Sequence, residues 1–187
     1  MVSEKNIFQQ TRRSFLVHST QALAGLAALS LPDICSAKVA RKRTLSLYHA
    51  RAQKELTLTY AAGKKYSPKA LAKVNSFLRD YQTGQIHRID PKLLDILWAI
   101  QQEMGCRGPY KVVSAYRSPQ TNRTLRRTQS GVAGHSLHMQ GKAIDISLPG
   151  TSIRQIRQCA MSMQTGGVGY YPQSNFVHLD TGIYRTW

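Results

Sequence analysis

Two paired helix-start signals divide this chain. Ser67-Pro68 and Asp90-Pro91 each join a capping side chain to a proline whose fixed φ and missing N–H suit a first helical turn. Behind the first, Leu71, Val74, Leu78 and Tyr81 recur at helical spacing. Behind the second come Leu93, Leu94, Leu97, Trp98 and Gln101, until Gly105 ends the pattern. Ahead of both, Leu45, Leu47 and His49, then Leu56, Leu58 and Tyr60, alternate with polar neighbours. That period of two predicts a hairpin joined through residues 50–54. Later the chain reads as strands at 110–116, 142–148, 168–171 and 176–180. A third helix opens at Ser152, with Ile153, Ile156, Ala160 and Met163 inward. Helices first and strands clustered later predict an α+β domain, a small antiparallel sheet with flanking helices, rather than a parallel βαβ sheet.

Composition bounds the partner. The 187 residues are 42% hydrophobic, enough for one core and too apolar for a disordered basic tail. Twenty-six Lys+Arg against nine Asp+Glu give a formal charge of +17. Such charge predicts an anionic partner without choosing among nucleic acid, lipid and acidic polymer. No uninterrupted apolar run approaches the roughly 20 residues that span a bilayer as a helix. Three cysteines exclude a disulfide-dense mini-scaffold.

The first 37 residues narrow the choice. Thr11-Arg12-Arg13-Ser14-Phe15-Leu16, a weakly apolar stretch at 17–31, and Cys35-Ser36-Ala37 supply a charged head, an apolar body and a small-residue cleavage site. The paired arginines resemble a twin-arginine export signal; the alternative is an amphipathic N-terminal helix that contains Arg-Arg. Cleavage after Ala37 removes Lys5, Arg12, Arg13, Glu4 and Asp33, leaving 23 basic and seven acidic side chains, a charge of +16 over residues 38–187. Export predicts a periplasmic protein without a transmembrane anchor, for which nucleic acid is no working partner and an anionic envelope polymer or lipid surface is. The seven acids are Glu55, Asp80, Asp90, Asp95, Glu103, Asp145 and Asp180.

Chemistry concentrates in Ser136-Leu137-His138-Met139-Gln140-Gly141-Lys142-Ala143-Ile144-Asp145 and in Val177-His178-Leu179-Asp180. Two imidazoles and a carboxylate are a common open ligand set for catalytic zinc, with a fourth position left for water. On paired strands His178 and Asp180 share the face of Ala143 and Asp145, while Ile144 and Ile146 face the core. Gly141 lets the backbone bend between His138 and the strand. His135 reads as a solvated loop residue, His49 and His87 as structural or exposed. Arg123, Arg126 and Arg127 read as a solvated basic face, with contact to glycan or peptide carboxylates as the alternative. Cys106 and Cys159 remain open between a bridge and two buried thiols.

The pattern Ser-x-His-x-x-Gly-x-Ala-x-Asp with a later His resembles the zinc peptidases that group D-Ala-D-Ala peptidases with lysostaphin and hedgehog domains. Ser114-Ala115-Tyr116-Arg117-Ser118-Pro119-Gln120-Thr121-Asn122, the 45–60 hairpin and the Trp98 helix resemble their YcbK-type murein endopeptidase branch, over most of residues 43–182. The resemblance implies a hedgehog/D-Ala-D-Ala peptidase-like fold and Zn2+ held by His138, Asp145 and His178. It also implies a role for Arg117 on a substrate carboxylate or the developing oxyanion; without it, Arg117 reads as a surface residue at a strand end.

One position departs from the group. The carboxypeptidase branch carries its general base, a Glu, three residues before the last zinc histidine, where this chain has Asn175. Asp180 is the substitute on offer, as base or as the group that orients His178. The resemblance thus implies a zinc-dependent endopeptidase acting on peptidoglycan peptide stems and cross-links, at diaminopimelate–diaminopimelate or D-Ala–diaminopimelate bonds. A zinc-stabilised peptidoglycan-binding module without turnover and a D,D-carboxypeptidase are the alternatives, and a nucleic-acid binder shows no motif.

Overall fold

The computed structural model describes residues 41–129 and 131–187; the export segment predicted at 1–37 lies outside them. Eight strands form one sheet: β1 (Lys42–His49), β2 (Lys54–Ala62), β3 (Lys65–Tyr66), β4 (Tyr110–Ser114), β5 (Ala143–Ser147), β6 (Gly167–Tyr171), β7 (Phe176–Asp180) and β8 (Arg185–Thr186). Four helices accompany it: α1 (Pro68–Phe77), α2 (Pro91–Met104), α3 (Pro119–Thr128) and α4 (Ile153–Met163). The strand order is β3-β2-β1-β4-β5-β7-β6-β8.

The expected small antiparallel sheet is corrected to a large mixed one. β1 runs parallel to β4, and β6 parallel to β8, while the other neighbours are antiparallel. The physical reason is that β1 and β4 are separated by α1 and α2, a connection long enough to return the chain in the same direction. Period-two patterning shows that a strand exists but not which neighbour it meets.

The capping signals hold. Ser67 accepts from Ala70 N, Asp90 from Lys92 N, and Gly105 closes α2 in the left-handed conformation at φ 64°. α1 ends at Phe77, before Tyr81, which packs instead against His49 with ring centroids 4.0 Å apart. Asp95 ties α2 to the first hairpin, accepting from Tyr60 and Tyr66 hydroxyls at 2.9 and 2.6 Å and pairing with Arg43. The core gathers Leu45, Leu47, Leu93, Leu97, Ile144, Ile146, Ile156, Val177 and Leu179. Because side chains alternate along β5 and β7, that apolar face leaves Asp145, His178 and Asp180 on the other side. Cys106 and Cys159 are both free thiols. Among the described residues no helix is long and apolar enough to cross a membrane.

Candidate metal centre

Three short pieces of backbone bring the motif together. Ser136 caps one turn of 3-10 helix, Leu137–Gln140, by accepting from His138 N, and Gly141 ends it at φ 64°. A Cβ on Gly141 would stand 2.1 Å from the Arg88 carbonyl oxygen, so only glycine lets this turn press against residues 88–90. β5 and β7 then pair with Asp145 opposite His178 and Ala143 opposite Asp180. A bulge in β4 between Val112 and Ser114 sets Ser114 opposite Asp145 and turns the chain toward Arg117.

The three side chains point their acceptors at one place. His138 Nε2 lies 3.2 Å from His178 Nδ1 and 3.3 Å from Asp145 Oδ1, and His178 Nδ1 lies 2.9 Å from Asp145 Oδ1. Each imidazole uses its other nitrogen outward. His138 Nδ1 donates to the Ala115 carbonyl at 2.6 Å, and His178 Nε2 donates to Asp180 Oδ2 at 3.0 Å. With both ring protons placed there, two lone pairs and a carboxylate oxygen face one another in a buried spot, where residues 138, 145 and 178 are 2, 3 and 8% exposed. Acceptors so placed repel unless a cation lies among them. Donors about 2.0–2.1 Å from a tetrahedral ion stand about 3.3 Å apart, close to the separations here. The residues fit a divalent metal held by His138, Asp145 and His178.

Burial pulls the His138 pKa down. Burial alone would raise Asp145, but His138 and His178 outweigh it and hold the carboxylate far below its ordinary range. Burial opposes protonation of His178, yet the hydrogen bonds to Asp145 and Asp180 prevail and raise it.

Asp180 is fully engaged. Oδ1 accepts from Gly167 N, Gly182 N and Arg185 at 3.0, 2.9 and 3.1 Å; Oδ2 accepts from His178 and, at 2.7 Å, from Arg185. Burial works against its ionisation, but these donors outweigh burial and hold its pKa well below the carboxylate range. It faces Nε2, the side of the His178 ring away from the converging lone pairs. Of the two roles open to it, this geometry suits the orienting one.

Arg117 is 17% exposed in its side chain; Nη2 donates to Asp145 Oδ2 at 2.6 Å and Nε to Ser114 Oγ at 2.8 Å. It holds the carboxylate oxygen that the cluster leaves free. Asn175 sits exposed in the β6–β7 turn at φ 52°. His135 is exposed on the rim, His87 packs edge-on to Tyr116 at 4.8 Å, His49 is buried, and Arg123, Arg126 and Arg127 are exposed.

A groove of about 630 Å³ opens over the cluster, lined among others by His135, Tyr171, Phe176, Arg185 and Trp187. Tyr171 stacks on Phe176, and Trp187 donates to Tyr171 while its ring stands 5.2 Å from that of His178. Arg185 and Trp187 are site residues that motif and period did not reveal. Their only trace was Gly166-Gly167-Val168-Gly169. A Cβ at Gly167 would meet Asp180 and Arg185 at 2.3 and 2.5 Å, and one at Gly169 would meet the Trp187 ring at 2.7 Å.

Comparison with known proteins identifies the family. The family described as peptidoglycan L,D-endopeptidase MepK matches residues 37–187. The peptidoglycan L,D-endopeptidase MepK of Escherichia coli strain K12 is 41% identical over 180 residues, 96% of this chain and 98% of that protein. The probable peptidoglycan L,D-endopeptidase MepK of Haemophilus influenzae is 36% identical over 183 residues, covering 97% and 98%. Among solved structures, the L-Ala D-Glu endopeptidase ChiX of Serratia marcescens aligns with 51% of this chain and 68% of its own at 17% identity and a TM-score of 0.34. By the extent of the family match and the identity of these relatives, this chain belongs to the peptidoglycan L,D-endopeptidase MepK family.

Proposed function

We propose that this protein is a zinc-dependent murein endopeptidase of the periplasm that hydrolyses peptide cross-links of peptidoglycan. The observation that carries the reading is the buried convergence of His138 Nε2, Asp145 Oδ1 and His178 Nδ1 beneath an open groove. Zinc held there by His138, Asp145 and His178 would supply Lewis acidity toward a water and the scissile carbonyl.

The protein's own groups do the positioning. Ala115 O and Asp180 fix the tautomers of His138 and His178, and Arg117 keeps the second oxygen of Asp145 from swinging away. Asp180 and Arg117 therefore act as positioning residues, and Asn175, an amide, supplies no base. Tyr171, Phe176 and Trp187 give the groove a rigid aromatic wall against which a peptide stem can lie.

The relatives' L,D designation favours the bond between two meso-diaminopimelate residues, which joins the L centre of one to the D centre of the other. The D-Ala–diaminopimelate bond joins two D centres and ranks second. Export by the twin-arginine-type segment at 1–37 places the protein beside this polymer. Purified sacculi digested with zinc-loaded protein are expected to lose diaminopimelate-linked dimers on muropeptide separation, and chelation is expected to abolish the loss. Dimers unchanged by the zinc-loaded protein would refute the reading.

A further inference from the structure

Across the Arg117–Asp145 pair lies a second cleft, of about 330 Å³. Arg117, Gln129, Asp145, Ser174 and Phe176 line both cavities, so the two adjoin. The far wall of the second cleft is His49 at the end of β1, Arg51 in the first hairpin turn, and Arg79 and Tyr81 beyond α1.

The lining carries three guanidinium groups, Arg51, Arg79 and Arg117, against two carboxylates, Asp80 and Asp145, whose oxygens already accept hydrogen bonds. Asp80 Oδ2 accepts from Ser118 N and Oδ1 from Gln82 N, both at 2.8 Å, while Asp145 is taken by the cluster and Arg117. Among the described residues neither Arg51 nor Arg79 joins an ion pair. Arg79 is nevertheless held in place, its guanidinium 4.2 Å over the Tyr81 ring and Nη1 donating to Ser76 O at 2.9 Å. Tyr81 in turn packs on His49.

His49 adds a neutral donor. Its Nδ1 accepts from Ala52 N at 3.3 Å, so the ring proton sits on Nε2, which meets no acceptor among the described residues. Burial, then the charges of Arg51 and Arg79, press its pKa down to about 4. A pocket with two guanidinium forks, a free imidazole N–H and no unspent carboxylate is built for an oxyanion. Peptide stems carry carboxylates on iso-glutamate and on diaminopimelate, within a residue or two of the cross-link.

We propose that this cleft is a second substrate subsite, which seats a carboxylate of the peptide stem beside the bond cut in the metal groove. The inference rests on the endopeptidase reading. The test uses zinc-loaded full-length protein and a synthetic diaminopimelate-linked dimer in three forms: free, amidated at iso-glutamate, and amidated at diaminopimelate. For the free dimer, Arg51→Gln/Arg79→Gln is expected to raise KM about 10-fold or more with kcat nearly unchanged. Amidating the seated carboxylate is expected to raise the wild-type KM similarly, and the variant is expected to ignore that amidation. Which amide matters identifies the carboxylate. An unchanged KM, or amide and substitution effects that simply multiply, overturns the subsite.

A second readout does not need turnover. Titrating wild-type protein with the free tripeptide L-Ala-γ-D-Glu-meso-diaminopimelate is expected to move the His49 ring resonances, and much less so in Arg51→Gln, an exposed turn position. Resonances that stay put overturn the proposal even if the double variant misfolds. If the wild type cleaves no dimer yet the tripeptide moves His49, the endopeptidase reading fails and the carboxylate site stands.

Discussion

At the scale of single residues, the chemistry depends on which way two imidazoles are turned. His138 gives its Nδ1 proton to a backbone carbonyl and His178 gives its Nε2 proton to Asp180, which leaves the opposite nitrogens free for a metal. Asp180→Asn can still accept the proton but loses the charge and the bidentate pairing with Arg185. It is expected to weaken zinc binding by about 10–100-fold, measured by competition with a chromogenic chelator; unchanged affinity would remove Asp180 from the metal's support. His49 offers a prediction on stability. Its pKa falls from 6.5 to about 4 on folding, so between those values the unfolded chain binds a proton that the folded chain refuses. Stability is therefore complete above about pH 6.5, declines as pH falls toward about 4, and levels off below. From pH 7 to pH 4.5 this is worth about 2–3 kcal/mol, a loss that His49→Asn should lack in parallel denaturant titrations. The candidate ligands were legible because a ten-residue motif carries His138 and Asp145 and a later His-x-Asp carries His178. The orientation of Asp180 was not, since a period of two assigns a side chain to a face and says nothing of which ring nitrogen it meets.

At the scale of elements, glycines decide how closely the pieces approach. Gly141 lets the His138 turn sit on the backbone at Arg88, and Gly141 O accepts from Asp90 N at 2.9 Å. Asp90 in turn caps α2 and accepts from Thr181 Oγ1 at the end of β7. Gly141→Ala adds a Cβ at 2.1 Å from a carbonyl and at positive φ, and is expected to cost about 2–4 kcal/mol in thermal or denaturant unfolding. A cost under about 0.5 kcal/mol would mean that this contact does not hold the turn. α3 escaped the sequence reading although Ser118-Pro119 repeats the start signal of α1. Its Arg123, Arg126 and Arg127 are exposed, and a helix without an apolar stripe has no period to read. β3 and β8, two residues each, are too short to show alternation. Arg185 and Trp187 were hidden for a related reason, because they fill space vacated by glycines on another strand.

At the scale of the whole molecule, excess charge and fold serve the same end. The sheet puts its core on one face and the metal cluster on the other, and the mixed strand order brings the first hairpin up to β4, beside the Arg117 corner. The identities of α1, α2, α4 and the six longer strands followed from capping and period, whereas sheet order did not, because pairing across long connections leaves no local mark. A charge of +16 over residues 38–187 is expected to draw the chain to a polyanionic wall through a field that salt screens. Sacculus binding, followed by co-sedimentation, is expected to weaken steeply between about 0.05 and 0.5 M salt, and salt-independent binding would assign recognition to contacts other than charge. The identity of the cluster as a metal centre is tested most directly by the metal content of the purified full-length protein beside His138→Ala. One equivalent of zinc per chain in the wild type and close to none in the variant is the predicted result. A wild type without zinc, or a variant that holds it equally well, would contradict the assignment of His138, Asp145 and His178 as its ligands.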